Sequence, residues 1–162
     1  MNKQRIMVAA LTLSATALVG RAVQEGYTDE AVIPVPGDVP TLGFGTTQGV
    51  KLGDKTTPVK ALQRAYADMQ TYEGAIKRCV TAPLHQAEYD AYAELAYNIG
   101  PTAFCGSTLV KRLNAQEYRA ACDQILVWKM FRGFDCSTPG NKVCSGLWKD
   151  RLRLHQQCMV AQ

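Results

Sequence analysis

The residues best equipped for chemistry stand close together in "EGYTDEAVIPVPGDVPTLGFGTT": Glu25, Asp29, Glu30, Asp38 and Thr41. Glu25 follows an apolar run and precedes a stretch rich in β-branched residues, proline and glycine, so it falls where a helix gives way to short strands. A carboxyl group at such a junction, partly shielded from water, is suited to general-acid work. Cleavage of a glycosidic bond with inversion needs one carboxylic acid on the leaving oxygen and a second polar group holding water on the opposite sugar face. Glu25 together with Asp38, Asp29, Glu30 or Thr41 could supply both, and such chemistry needs no cofactor. A surface glutamate ending a helix would read the same way at this level.

Other chemistries fit less well. "GFGTTQG" lacks the glycine spacing, the opening helix and the distant acidic residue of a dinucleotide fingerprint, and it lacks the Gly-Lys-Ser/Thr of a P-loop. His85 and His155 lie in helical surroundings with no nucleophile elbow nearby, which disfavours a serine or cysteine triad. Two histidines and no Cys-x-x-Cys pair leave no metal site to expect.

The elements that must position these groups can be read from periodicity. "AVIPVPGDVPTLGFGTT" reads as short strands joined at Pro36-Gly37-Asp38. Thr57 precedes Pro58 as an N-cap, and Val59, Leu62, Tyr66, Met69 and Ile76 recur near helical spacing, predicting a long helix from Pro58 to about Cys79. Pro83 opens the next helix, with Leu84, Tyr89, Tyr92, Ala93, Ala96 and Tyr97 as its apolar face and Gly100 as its stop. Further helices are expected at 107–114, 116–130 and 147–157. The fold class is therefore α+β and mainly helical, with a small N-terminal β lobe, a long connecting helix and a helical C-terminal lobe.

With 162 residues, the chain is the size of one ordinary domain. Its net charge of +4 is scattered, which suits an anionic polymer, a phospholipid surface or a merely solvated face, and gives no stripe for nucleic acid. Six cysteines in a short chain with an export-type N-terminus favour disulfides formed in an oxidising compartment. The one local pairing expected is Cys136 with Cys144, closing "CSTPGNKVC" over Pro139-Gly140.

Lys3 and Arg5 precede an uncharged run from Ile6 to Gly20 that stops at Arg21, the basic-then-apolar order of an export signal. The run is short for a stable transmembrane helix, which needs about 20 apolar residues, and alanine, threonine, serine and glycine dilute it. Three readings stay open: a signal peptide cleaved after Ala15-Thr16-Ala17, a segment that inserts and later leaves the bilayer, or the first helix of the fold. Cleavage there would leave Glu25 on a helix stub close to the new terminus.

"EGYTDEAVIPVPGDVPTLGFGTT", "YNIGPTAFCGSTLVKRLN", "YRAACDQILVW" and "GLWKDR" together resemble the bacteriophage lysozymes of glycoside hydrolase family 24, the endolysins that cut bacterial peptidoglycan. The resemblance runs from about Glu25 to Cys158. It implies a lysozyme-like fold and hydrolysis of the β-1,4 bond between N-acetylmuramic acid and N-acetylglucosamine. The alternatives are a lytic transglycosylase or a lysozyme-like protein that binds peptidoglycan with impaired catalysis.

The N-terminal run looks like that of signal-arrest-release endolysins. On that reading residues 1–21 form the signal-anchor segment and 22–162 the catalytic domain. The resemblance then implies a monomer exported to the host periplasm, held at the inner membrane before release, with glycan strands as its partner.

Carried over by motif, the family's catalytic acid falls on Glu25 and its water-holding threonine on Thr41. The arginine that pairs with the catalytic glutamate falls on Arg151. Tyr97, Asn98 and Ser107 match positions lining the glycan cleft. The chain departs from the pattern where the family's aspartate is expected: Pro34 stands there, and Asp38 is the nearest substitute, with Asp29, Glu30 or no aspartate as alternatives. Thr46 replaces the usual histidine after Gly-x-Gly.

Overall fold

Thr57 accepts a 3.5 Å bond from the amide of Lys60, and Pro58, which has no amide hydrogen to leave unsatisfied, opens the longest helix. A computed structural model describes residues 4–34 and 37–162; Lys3 and Pro36, named above, lie outside them. The described chain falls into two compact units, and the division lies within the long helix, after Thr71.

The unit Leu13–Thr71 holds α1 (Ala15–Glu25), β1 (Thr28–Val32), β2 (Thr41–Gly43) and the first part of α2 (Pro58–Cys79). Ser14 caps α1 by accepting the Ala17 amide at 3.1 Å, and Gly26 ends it. β1 and β2 run antiparallel, with Thr28 opposite Gly43 and Val32 opposite Thr41. Four steps along β1 thus match two along β2, so β1 carries an irregularity between its paired ends. The bulged residues pair elsewhere: Ala31 donates to Asp54 O at 2.9 Å, and Asp29 O accepts from Thr56 at 2.9 Å.

Ala31, Leu42 and Val50 form the small apolar cluster beneath this sheet. On α2 the buried stripe in this unit is Ala61, Ala65 and Met69, four residues apart. Val59, Leu62 and Tyr66, whose spacing predicted the helix, face solvent at 68%, 40% and 44% exposure. The helix is where the period places it, but small residues make its inner face.

The second unit comprises residues 4–12 and 72–162. Its helices are α3 (Gln86–Ile99), α4 (Pro101–Cys105), α5 (Thr108–Asn114), α6 (Tyr118–Asp123) and α7 (Ser145–Val160). α3 starts three residues after Pro83. His85 is its N-cap, and Glu88 reaches back to the His85 amide at 2.7 Å in a capping box. Leu84 instead exchanges two 2.8 Å backbone bonds with Ile6, so the residues before α3 are extended and paired with the N-terminal run.

Tyr89 through Ala96 are all buried, which makes α3 a central helix enclosed on every side. Its buried acids are matched by cations brought from elsewhere in the unit: Glu88 by Arg5 at 3.1 Å and Glu94 by Arg153. The helix expected at 116–130 is shorter. Gln116 has a positive φ of 60°, α6 ends at Asp123, and a 3₁₀ turn follows over Gln124–Val127. β3 (Met130–Phe131) and β4 (Phe134–Asp135) then form a hairpin whose two-residue turn, Arg132-Gly133, has positive φ at both positions, as a type I′ turn requires.

Three disulfides tie this unit: Cys79–Cys105, Cys122–Cys158 and the expected Cys136–Cys144. Burial between helices raises the Tyr92 phenol far above its ordinary range, and its hydroxyl lies 3.2 Å from the Cys158 sulfur.

The N-terminal run is divided between the two units. Val8–Ala10 form one 3₁₀ turn, α1 begins only at Ala15, and Val8, Leu11, Leu13 and Ala17 are buried. Among the described residues no helix is long and apolar enough to cross a membrane.

Candidate active site

Glu25 is the last residue of α1, and its carboxylate has Arg21 at one oxygen and the bare backbone of Gly45 beside the other. Oε1 lies 2.6 Å from Nη2 of Arg21, one helical turn earlier, while the glutamate side chain keeps 29% of its surface exposed. The other oxygen lies over Gly45: a Cβ built there would sit 2.6 Å from Oε2, so any larger residue would displace the carboxylate. Gly45 also has φ +84°, a conformation that disfavours a side chain.

Gly43 serves the same loop differently. Its Cβ would meet that of Ala61 at 2.7 Å, so its bareness lets the loop lie on α2. The glycines of "GFGTTQG" thus make room for a helix on one side and a carboxylate on the other.

The loop is held by polar contacts. Leu42 and Thr46 exchange backbone bonds of 2.9 and 3.1 Å around it, and Thr46, 2% exposed, donates its hydroxyl to Asp68 at 2.8 Å. The residue in the family's histidine position is therefore a buried anchor to α2. Arg64 donates to the carbonyl of Gln48, and the rings of Tyr27 and Phe44 pack at 5.3 Å.

Asp38 and Thr41 are anchored on the backbone of the same residue. Asp38 Oδ1 accepts the Val39 amide at 2.9 Å, and the Thr41 hydroxyl donates to Val39 O at 3.3 Å. With its proton engaged, Thr41 keeps both hydroxyl lone pairs for acceptor duty. Asp29 and Glu30 lie on the bulged stretch of β1, where Glu30 faces Lys55 at 3.4 Å and both are exposed.

Tyr97, Asn98, Ser107 and Arg151 belong to the second unit. Tyr97 packs on Tyr72 at 4.9 Å between ring centres. Arg151, 2% exposed, donates to Trp128 O at 3.0 Å, Asn98 Oδ1 at 3.2 Å and Asp150 at 2.9 Å. Asn98 and Arg151 are thus brought together. Ser107 caps α5: its oxygen accepts from the Val110 amide at 3.3 Å and its hydroxyl donates to Phe104 O at 2.6 Å.

Sequence reasoning missed Arg21, and it named Thr46 only as a departure from the family pattern. Arg21 read as the charge that ends an apolar run; its distance of four residues from Glu25 was the signal that could have found it.

Comparison with known proteins gives this arrangement its class. The chain is 34% identical over 146 residues to the SAR-endolysin of Pseudomonas phage phiKMV, covering 90% of this chain and 87% of that one. It is 41% identical over 96 residues to the endolysin of Salmonella phage P22, covering 56% and 66%. Among solved structures, an endolysin from Escherichia coli O157:H7 phage FAHEc1 superposes with a TM-score of 0.79 at 28% identity, over 94% of this chain and 96% of that one. The fold is lysozyme-like and mainly helical, and the function is that of a phage endolysin, an enzyme that cleaves peptidoglycan. The family model described as phage lysozyme matches residues 22–153, and the chain belongs to that family.

Proposed function

We propose that the chain hydrolyses the β-1,4 bond between N-acetylmuramic acid and N-acetylglucosamine, with Glu25 as the general acid. The observation that carries this reading is the Glu25 carboxylate fixed between the Arg21 guanidinium and the bare Gly45, above the loop that β2 feeds. In the forward step Glu25 gives a proton to the leaving glycosidic oxygen. Thr41 accepts a hydrogen bond from the attacking water, and Asp38, anchored on the same Val39 backbone, takes up the proton that the water loses. Asp38 does the work of the aspartate that Pro34 replaces, while Asp29 and Glu30 serve the bulged strand.

Tyr97, Asn98 and Ser107 contribute a glycan-contacting surface on the helical unit. Arg151 supports that surface by holding Asn98. The enzyme acts as a monomer on glycan strands. Residues 1–21 first carry the chain across the inner membrane and tether it there, and the catalytic part, 22–162, works in the host periplasm after release. The basic-then-apolar order of the run and its resemblance to the leader of SAR-endolysins support this.

The test is the chemistry of the product released from purified peptidoglycan. New reducing ends at muramic acid are expected. An anhydro ring at the muramic acid would make the enzyme a lytic transglycosylase, and binding without release of fragments would make it an inactive relative.

A further inference from the structure

Arg21 is a cation that the fold has withdrawn from water: the residue is 7% exposed, in a helix made mostly of alanine, leucine, valine and glycine. A buried guanidinium is costly unless an anion faces it. Its Nη2 lies 2.6 Å from Glu25 Oε1, in the i, i+4 relation that α1 imposes by itself. The partners act on different oxygens. Arg21 occupies Oε1, and the absent Cβ of Gly45 leaves a berth for Oε2, which lies 2.6 Å from where that Cβ would be.

We propose that Arg21 is a positioning residue for the general acid: it holds Glu25 in one rotamer and, by claiming Oε1, assigns the transferable proton to Oε2. A guanidinium only donates hydrogen bonds, and the carbonyl oxygen of a neutral acid is a stronger acceptor than its hydroxyl oxygen, so the pairing favours the proton on the other oxygen. That proton then leaves from the oxygen seated over Gly45, where the absent side chain leaves it room. The inference rests on the reading of Glu25 as the acid. It adds that the last turn of α1, from Arg21 to Glu25, acts as one catalytic unit, its spacing set by the helix.

The experiment compares the full-length wild type with R21Q, R21K and E25Q on soluble peptidoglycan fragments, measuring kcat and KM separately, with thermal midpoints alongside. R21Q is expected to lose roughly 10- to 100-fold in kcat, since misplacing a reacting group by about 1 Å costs on that order. Its KM should stay within about twofold of wild type, at a temperature where both proteins are folded. R21K, which keeps the charge on a shorter stem, is expected to recover part of the loss.

R21Q with wild-type kcat beside an inactive E25Q would overturn the positioning role and leave the acid in place. A loss in R21Q that only tracks its unfolded fraction, or that falls on KM alone, would also overturn it. So would an R21K no better than R21Q. An active E25Q would overturn the reading of Glu25 itself, and this inference with it.

Discussion

The helical unit carries all six cysteines, paired as Cys79–Cys105, Cys122–Cys158 and Cys136–Cys144, whereas the unit Leu13–Thr71 has none. The charge is divided as unevenly. The helical unit, residues 4–12 and 72–162, holds twelve basic and eight acidic residues, and Leu13–Thr71 five basic and six acidic. One unit is built around an enclosed helix with Tyr89, Tyr92, Leu95 and Phe104 fully buried. The other rests on the cluster of Ala31, Leu42 and Val50, and keeps its loop in place with bare glycines and single hydrogen bonds. The proposed acid, Glu25, stands on the lightly built side. The disulfides and the proposed acid thus lie on different stretches of chain, and substitutions of each should report separately.

The largest effect expected on stability is loss of a long-loop disulfide. Replacing Cys122 and Cys158, which are 36 residues apart, with serine should lower unfolding free energy on the order of 3–4 kcal/mol. At a temperature where the variant stays folded, kcat should change less than about twofold. A large kcat loss under those conditions would break the division of labour.

The next largest effect is expected at the two glycines. G45A should cut kcat by roughly tenfold or more, because its methyl group would take the place of the Glu25 carboxylate. G43A, at a similar positive φ but against Ala61, should instead lower the thermal midpoint, with most of its activity kept while folded. Measuring kcat and melting for both variants checks this. Equal effects on activity would mean that Gly45 makes no special room for the acid.

The smallest effect concerns pH. Hydrogen bonds from Lys129 first, then Ser137, lower the Asp135 carboxyl from 3.8 to about 2. A depressed folded pKa contributes stability above the unfolded value, and that stability is lost as pH falls. Wild type should therefore lose this contribution between about pH 4 and pH 2, and D135N should show a flatter stability profile across that window in acid titrations followed by circular dichroism.

How far the sequence could be read follows the same division. The long helix from Pro58, the helix expected at 107–114 and the Cys136–Cys144 loop were legible because each rests on a local signal: a proline at the first helical position, a serine before an apolar run, a short loop over Pro-Gly. The pairing of Ile6 with Leu84 was not, since two single residues far apart leave no period. Nor was the burial of α3 on every side, because Glu88, Asp90 and Glu94 read as a wet face until Arg5 and Arg153 arrive from distant segments.

At the candidate site, Glu25 and Thr41 were nameable from motif, and Asp38 only as the nearest substitute for an aspartate whose place Pro34 takes. Arg21 and Gly45, which fix Glu25, were visible only as a boundary charge and a turn residue. Motifs mark groups that meet substrate, while the groups that aim them depend on three-dimensional placement.

Glycan cleavage by this protein depends, on the reading proposed, on the Glu25 carboxyl group. Reducing-end release from purified peptidoglycan by E25Q, set beside wild type with matching circular dichroism and thermal midpoint, tests it directly. The account predicts a loss of at least about a thousandfold in a folded protein, since removal of the acid takes away proton donation to the leaving oxygen. Release within tenfold of wild type would contradict it.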